Sequence, residues 1–254
     1  MSNREIENSQ QKQAPVILAI ETATRAGSVA ISRGANVLAC AIGDATSSHS
    51  TDLIENIDRI VQEARLQLSD VDLFGVAMGP GSFTGLRIGL ATAKSLAVAT
   101  KKKCAGISTL AAIALAAGRS ERTVALLPAG RGEVFAQMFS IIGHDVAALD
   151  EATHISPQAL LSKYAGHDTI TWAGEGAQAQ RDILRAEAGR RGIMFRVDSD
   201  MKSTGWSVAP INDRIAESVA QLAFREYLAG RTIEPEELRA NYVRPSDAEM
   251  KVHA

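Results

Sequence analysis

The sequence predicts an α/β protein of two lobes, each a mixed sheet with helices. Three observations carry that prediction. Strand-length apolar runs and helical stripes alternate twice along the chain. The 254 residues suffice for one large or two small domains, and a hydrophobic share of 46% supplies a core. At 72–97 a buried strand enters a glycine-rich turn and leaves it as a helix without a strong breaker.

The first lobe starts with Val16-Ile-Leu-Ala-Ile20, a continuous apolar run that suits a strand covered on both faces. Glu21-Thr-Ala-Thr-Arg-Ala-Gly27 is a turn. Ser28-Val-Ala-Ile-Ser32 and Val37-Leu-Ala-Cys-Ala-Ile42 complete an antiparallel meander. Thr46-Ser-Ser-His-Ser50 is rich in helix-capping residues. The helix after it, over Thr51 to Leu68, has Asp52 and Glu55 near its positive end. Leu53, Ile54, Ile57, Ile60, Val61, Ala64 and Leu68 form its apolar stripe. Asp72-Leu-Phe-Gly-Val-Ala-Met78 is the next strand, and the helix beyond the turn closes an order β-β-β-α-β-α.

The second lobe opens with a short strand at Cys104–Ser108 and an alanine-rich helix from Thr109 to Ala117, ended by Gly118. Strands at Val124–Pro128 and Glu133–Ser140 flank the turn Ala129-Gly-Arg-Gly132. Ser156-Pro157 is a helix start, serine as cap and proline in the first turn. Thr169–Ala173 is a strand ending in Gly174-Glu-Gly176, a helix follows over 177–188, and Met194–Val197 is a candidate strand. Pro210-Ile-Asn-Asp213 opens the last long helix, which runs to Gly230. The expected division is a disordered tail at 1–14, an N-terminal lobe at 15–104 and a C-terminal lobe at 105–208. A helix and extension at 209–244 pack back on the N-lobe, and 245–254 is a flexible tail.

The turn at 79–85 spends three glycines in seven residues. On the helix after it, Gly85, Gly89, Ala93 and Ala97 recur every fourth residue and expose backbone along one face. Such a ridge lets another element approach closely, either the chain's own sheet or a second subunit. The turn matches neither phosphate-binding template. No Gly-x-x-x-x-Gly-Lys-[Ser/Thr] fits, and Thr84 occupies the third glycine position of Gly-x-Gly-x-x-Gly. Ser82 and Thr84 serve equally well as helix caps.

Composition excludes several classes. The 27 basic and 29 acidic residues are balanced, so no field of one sign points to nucleic acid or an anionic membrane. No apolar run approaches membrane length. Cys40 and Cys104 make neither a disulfide framework nor a metal cluster, and buried thiols in a reducing cytoplasm are the expectation. The five histidines, 49, 144, 154, 167 and 253, contain no pair three to five apart, so no helix face presents two at ligand spacing. No metal site and no catalytic residue is expected.

Ile17-Leu-Ala-Ile-Glu-Thr-Ala-Thr24 with Ser28-Val-Ala30, His49-Ser50 and Gly79-Pro-Gly-Ser-Phe-Thr-Gly-Leu-Arg-Ile-Gly-Leu90 together resemble the TsaB family, also called YeaZ. Gly106-Ile-Ser-Thr-Leu110, Arg131-Gly-Glu-Val-Phe135, Gly174-Glu-Gly176 and Asn241-Tyr-Val-Arg244 extend the resemblance over nearly the whole chain. It implies two actin/Hsp70/sugar-kinase-like lobes. It also implies a non-catalytic subunit that pairs with TsaD through N-lobe helices, for N6-threonylcarbamoyladenosine formation at position 37 of tRNAs reading ANN codons. The ATPase TsaE docks on that pair, tRNA is met only through the complex, and the subunit forms a homodimer when alone. No cofactor is bound stably, although ATP or ADP can sit at the subunit boundary in the complex.

On this reading His49, Leu53, Ile57, Ile60, Gly85, Gly89 and Ala93 are the candidate partner interface. Glu21, Ser82, Thr84 and Arg87 are candidates for a nucleotide or anion contact. The competing reading is a stand-alone phosphotransferase or ATPase of the same fold, which needs a carboxylate after the first strand of each lobe. Glu21 answers in the first lobe, although a side chain satisfied by neighbouring N–H groups explains it as simply. In the second lobe the equivalent turn carries Pro128, where relatives of the family often have Asp, and no carboxylate precedes Glu133.

Overall fold

The computed structural model describes residues 14–44, 49–197 and 204–243. Apart from Ala14, the tails expected at 1–14 and 245–254 lie outside the described residues. In chain order the elements are β1 (Val16–Glu21), β2 (Ser28–Arg33), β3 (Asn36–Ile42), α1 (His49–Glu63), β4 (Leu73–Gly79), α2 (Phe83–Thr100), β5 (Lys103–Ser108) and α3 (Thr109–Ala116). There follow β6 (Ser120–Gly130), β7 (Glu133–Ile142), β8 (Asp145–Ala148), β9 (Thr153–Ile155), α4 (Pro157–Tyr164), β10 (Ile170–Ala173), α5 (Glu175–Ala179) and α6 (Arg181–Arg190). The last are β11 (Phe195–Val197), β12 (Trp206–Val208) and α7 (Ile215–Leu228). The described residues fall into two compact units, 14–44 and 49–78 with 84–107 and 213–240, and 79–83 with 108–197, 204–212 and 241–243.

The first unit is a five-stranded sheet of order β3-β2-β1-β4-β5. β1 runs antiparallel to β2, from Val16↔Arg33 to Glu21↔Ser28, and parallel to β4, with Ile17 opposite Leu73. All six residues of β1 are buried, which is why it reads as unbroken apolar sequence rather than as alternation. Leu18, Ile20 and Phe74 meet Leu53, Ile57 and Ile60 of α1 and Leu86, Leu90 and Ala93 of α2 in one core. α7 packs on β1 and β2, and its Val219 and Ala223 come against Gly75 of β4.

The second unit repeats this plan. Its sheet has the order β11-β12-β10-β6-β7-β8, and β9 also pairs with β7. The path β8-β7-β6-β10-β12 copies β3-β2-β1-β4-β5, with antiparallel pairing on one side of the central strand and parallel pairing on the other. A β-β-β-α-β-α unit used twice in this order is the actin/Hsp70/sugar-kinase-like fold. Trp172 and Trp206 pack edge to face in its core, with ring centres 5.2 Å apart, and Trp206 Nε1 donates to His167 O at 2.8 Å.

One local expectation is corrected, and some strands were not expected at all. The last helix begins at Ile215, not at Pro210. Its cap comes from afar, because Ser28 Oγ on β2 accepts the Ala216 N–H at 2.9 Å. The strands β8, β9 and β12 carry no pattern that the sequence made visible. They are three or four residues long, too short for a periodicity, and exist because a longer neighbour offers them hydrogen bonds.

Candidate functional site

β4 ends at Gly79, whose φ of +121° favours glycine, and the Gly79–Pro80 peptide is cis. Ser82 immediately precedes α2, the capping position. Ser82, Thr84 and Arg87 are all exposed around this helix start.

The structure turns the small-residue ridge inward. Gly85, Gly89, Ala93 and Ala97 are buried. Thr22, just after β1, donates its hydroxyl to Gly85 O at 2.7 Å. A Cβ at Gly89 would stand 2.2 Å from Thr22 Oγ1 and 3.5 Å from Ile20 Cγ2. The bare backbone therefore serves close packing of α2 on its own sheet. The same correction applies to α1, where Leu53, Ile57 and Ile60 are core residues. The interface expected through these side chains has no atoms to offer there, because burying α2 and α1 on the sheet consumes them. His49 is the first residue of α1, and its side chain lies outside what the structure describes.

A second stripe on α2 faces outward. Arg87, Ala91, Ser95 and Val98 follow one another at steps of four, four and three, and all are exposed. Val98 is 57% exposed, as is Ile54 on α1. Apart from Arg87 this stripe is small and uncharged, an unusual composition for a helix face in water. Its spacing stood in the sequence beside the glycine ridge, but the glycines were the stronger cue.

A family model described as TsaD, tRNA N6-adenosine threonylcarbamoyltransferase, matches residues 43–238. The chain belongs to the TsaD family. The "tRNA threonylcarbamoyladenosine biosynthesis protein TsaB" of Escherichia coli is 27% identical over 245 residues, covering 93% of this chain and 97% of that protein. Its counterpart in Haemophilus influenzae is 28% identical over 232 residues, covering 90% and 93%. YeaZ from Pseudomonas aeruginosa shares the fold, with a TM-score of 0.71, 22% identity and coverage of 90% and 99%. Within the TsaD family the chain groups with the TsaB (YeaZ) proteins.

In this TsaD-family chain Glu21 is fully buried. Its Oε1 accepts the N–H groups of Ala23 at 2.6 Å and Thr24 at 2.8 Å, and its Oε2 accepts the Thr24 hydroxyl at 2.6 Å. The carboxylate thus organises the β1–β2 turn. The cavity beside it, lined by Thr22, Gly27, Ser28, Asp52 and Asn56 among others, holds about 20 Å³, room for one water. In the second unit Pro128 lies in β6 opposite Val134. Glu133 Oε2 stands 2.8 Å from His154 Nε2. Among the described residues no three His, Cys, Asp or Glu side chains gather where a metal ion could be held. No helix among them is long and apolar enough to cross a membrane.

Both thiols are held protonated. Burial pushes Cys104 up to about 11, with Lys94 opposing and Glu236 and Glu234 adding. Burial does the same to Cys40, also to about 11, with Arg214 opposing and Glu217 adding. Neither environment activates a nucleophile.

Proposed function

We propose that this chain is a non-catalytic subunit of N6-threonylcarbamoyladenosine synthesis on tRNA, pairing with the TsaD transferase through the outward faces of α1 and α2. The relatives named for threonylcarbamoyladenosine biosynthesis support the pathway. The observation that carries the pairing is the stripe Arg87, Ala91, Ser95 and Val98, an exposed helix face with little charge to keep it in water. Small residues on such a face let a partner helix approach, and Ile54 and Val98 supply apolar area.

The non-catalytic reading draws support from Glu21, whose oxygens are engaged by the turn, and from the two protonated thiols. On this proposal the reaction takes place at adenosine 37 of tRNAs reading ANN codons, in the cytoplasm. TsaE joins the pair, tRNA is contacted through the complex, the chain dimerises with itself when TsaD is absent, and any ATP or ADP sits at the subunit boundary.

Mass spectrometry of tRNA nucleosides after depletion of this protein tests the proposal. Loss of the modified adenosine is expected, and its persistence at the normal level sinks the reading. Sustained ATP hydrolysis by the purified chain with magnesium, without partners, would point instead to a stand-alone enzyme.

A further inference from the structure

Beyond α7, residues 231–240 run back along the first unit. Ile233 pairs antiparallel with Cys104 at the edge of β5. Cys104 N donates to Ile233 O and Ile233 N to Cys104 O, each at 2.9 Å. Lys103 Nζ stands 3.3 Å from Glu234 Oε1. Leu238 is fully buried in the core shared with α1 and α2, and its Cδ1 comes within 3.3 Å of where a Cβ on Gly106 would stand. Beneath this segment Cys104 has no exposed surface. β5 ends the order of the first sheet, so the segment covers a strand edge that would otherwise offer its N–H and C=O groups to any passing strand.

The cover is lightly held. Of its ten residues only Pro235 and Leu238 are buried. The Lys103–Glu234 pair is more than half exposed on both sides. Arg231 is tied back to Glu226 of α7, so it anchors the start of the segment to its own helix and adds nothing at β5. Segments with few buried apolar contacts open at lower free energy than the domain that carries them.

We propose that residues 231–240 form a releasable strap, which opens as a unit while the first unit stays folded and thereby uncovers the β5 edge and the Cys104 thiol. With the strap closed the thiol is inaccessible and protonated. With it open, Cys104 loses the burial that raises its pKa and the acidic Glu234 and Glu236 beside it, leaving Lys94 to favour the reactive thiolate. The strap stands whether or not the pairing with TsaD holds.

The full-length chain carries its own reporter. It is treated with N-ethylmaleimide under native conditions, quenched at intervals and digested, and mass spectrometry follows the Cys104 peptide separately from that of Cys40. The equilibrium stability of each variant gives the labelling that global unfolding alone would produce. Cys104 is expected to label at least tenfold faster than that limit. Ile233→Pro, which removes the N–H donated to Cys104 O, is expected to raise the rate a further tenfold or more. Leu238→Ala, which empties the buried socket, should do the same. Labelling that equals the global-unfolding limit in the native chain and in both variants overturns the strap. So does a rate indifferent to Ile233→Pro.

Discussion

The hydroxyl of Thr22 donates to the carbonyl of Gly85 at 2.7 Å, across 63 residues of sequence. This bond ties the first turn of α2 to the end of β1 and decides which face of the helix is hidden. One turn further on, Gly89 passes the same side chain so closely that a methyl group has no place.

Gly89→Ala is therefore expected to destabilise the protein by about 1–3 kcal/mol, the usual cost of overpacking a tight contact. Thr22→Ala removes the obstructing hydroxyl, and with it a hydrogen bond worth about 1 kcal/mol. Because the two changes share one contact, the double variant should lose clearly less than the sum of the singles. Denaturant midpoints of the four proteins check this, and strict additivity would show that the contact is not the cause.

The outward stripe predicts a different pattern for pairing. Ile54→Arg and Val98→Arg place a charge on exposed positions, so both variants should fold with stability within about 0.5 kcal/mol of the native chain. Each should fail to co-elute with TsaD. Gly85→Arg and Gly89→Arg, by contrast, are expected to unfold the first unit, because the added side chain has only core to enter. Normal co-elution of folded Ile54→Arg and Val98→Arg removes these faces from the interface.

Ser28 caps α7 from β2, so Ser28→Ala leaves the Ala216 N–H buried without that acceptor. A loss of about 0.5–2 kcal/mol is expected, the range for a deleted helix cap. Amide hydrogen exchange should speed up at Ala216 in particular. Unchanged exchange there would show that another group takes over the cap.

The two thiols predict the alkaline side of the stability profile. Each has an ordinary value of 9.0 and is raised to about 11 in the folded chain. Between those values the unfolded chain gives up its thiol protons while the folded one keeps them. The unfolded state then binds fewer protons, and stability falls as pH rises from 9 through about 11. Below pH 9 both contributions are fully present. Denaturation at pH 8 and pH 10.5 should show a smaller decline in Cys40→Ala and Cys104→Ala than in the native chain. An equal decline in all three proteins would assign the loss to other groups.

By itself the sequence determined whatever has a local physical cause. The unbroken apolar run of β1 can only be covered on both faces, and Ser156-Pro157 starts α4 with serine accepting the Ala159 N–H. The meander and the glycine turn were legible for the same reason, since each lies within one stretch of chain, and the doubled α/β order and the TsaB resemblance follow from the succession of such local stretches. The short strands β8, β9 and β12 and the true start of α7 were not legible, because their hydrogen-bond partners are elsewhere in the chain. The candidate site divides along the same line. A four-residue spacing states that Gly85, Gly89 and Ala93 share one face of α2, and that Arg87, Ala91 and Ser95 share another. It does not state which face meets the sheet. Both stripes contain small residues, and only the tertiary structure chose between them, because Thr22 and Ile20 occupy the space against which one backbone, and not the other, must close.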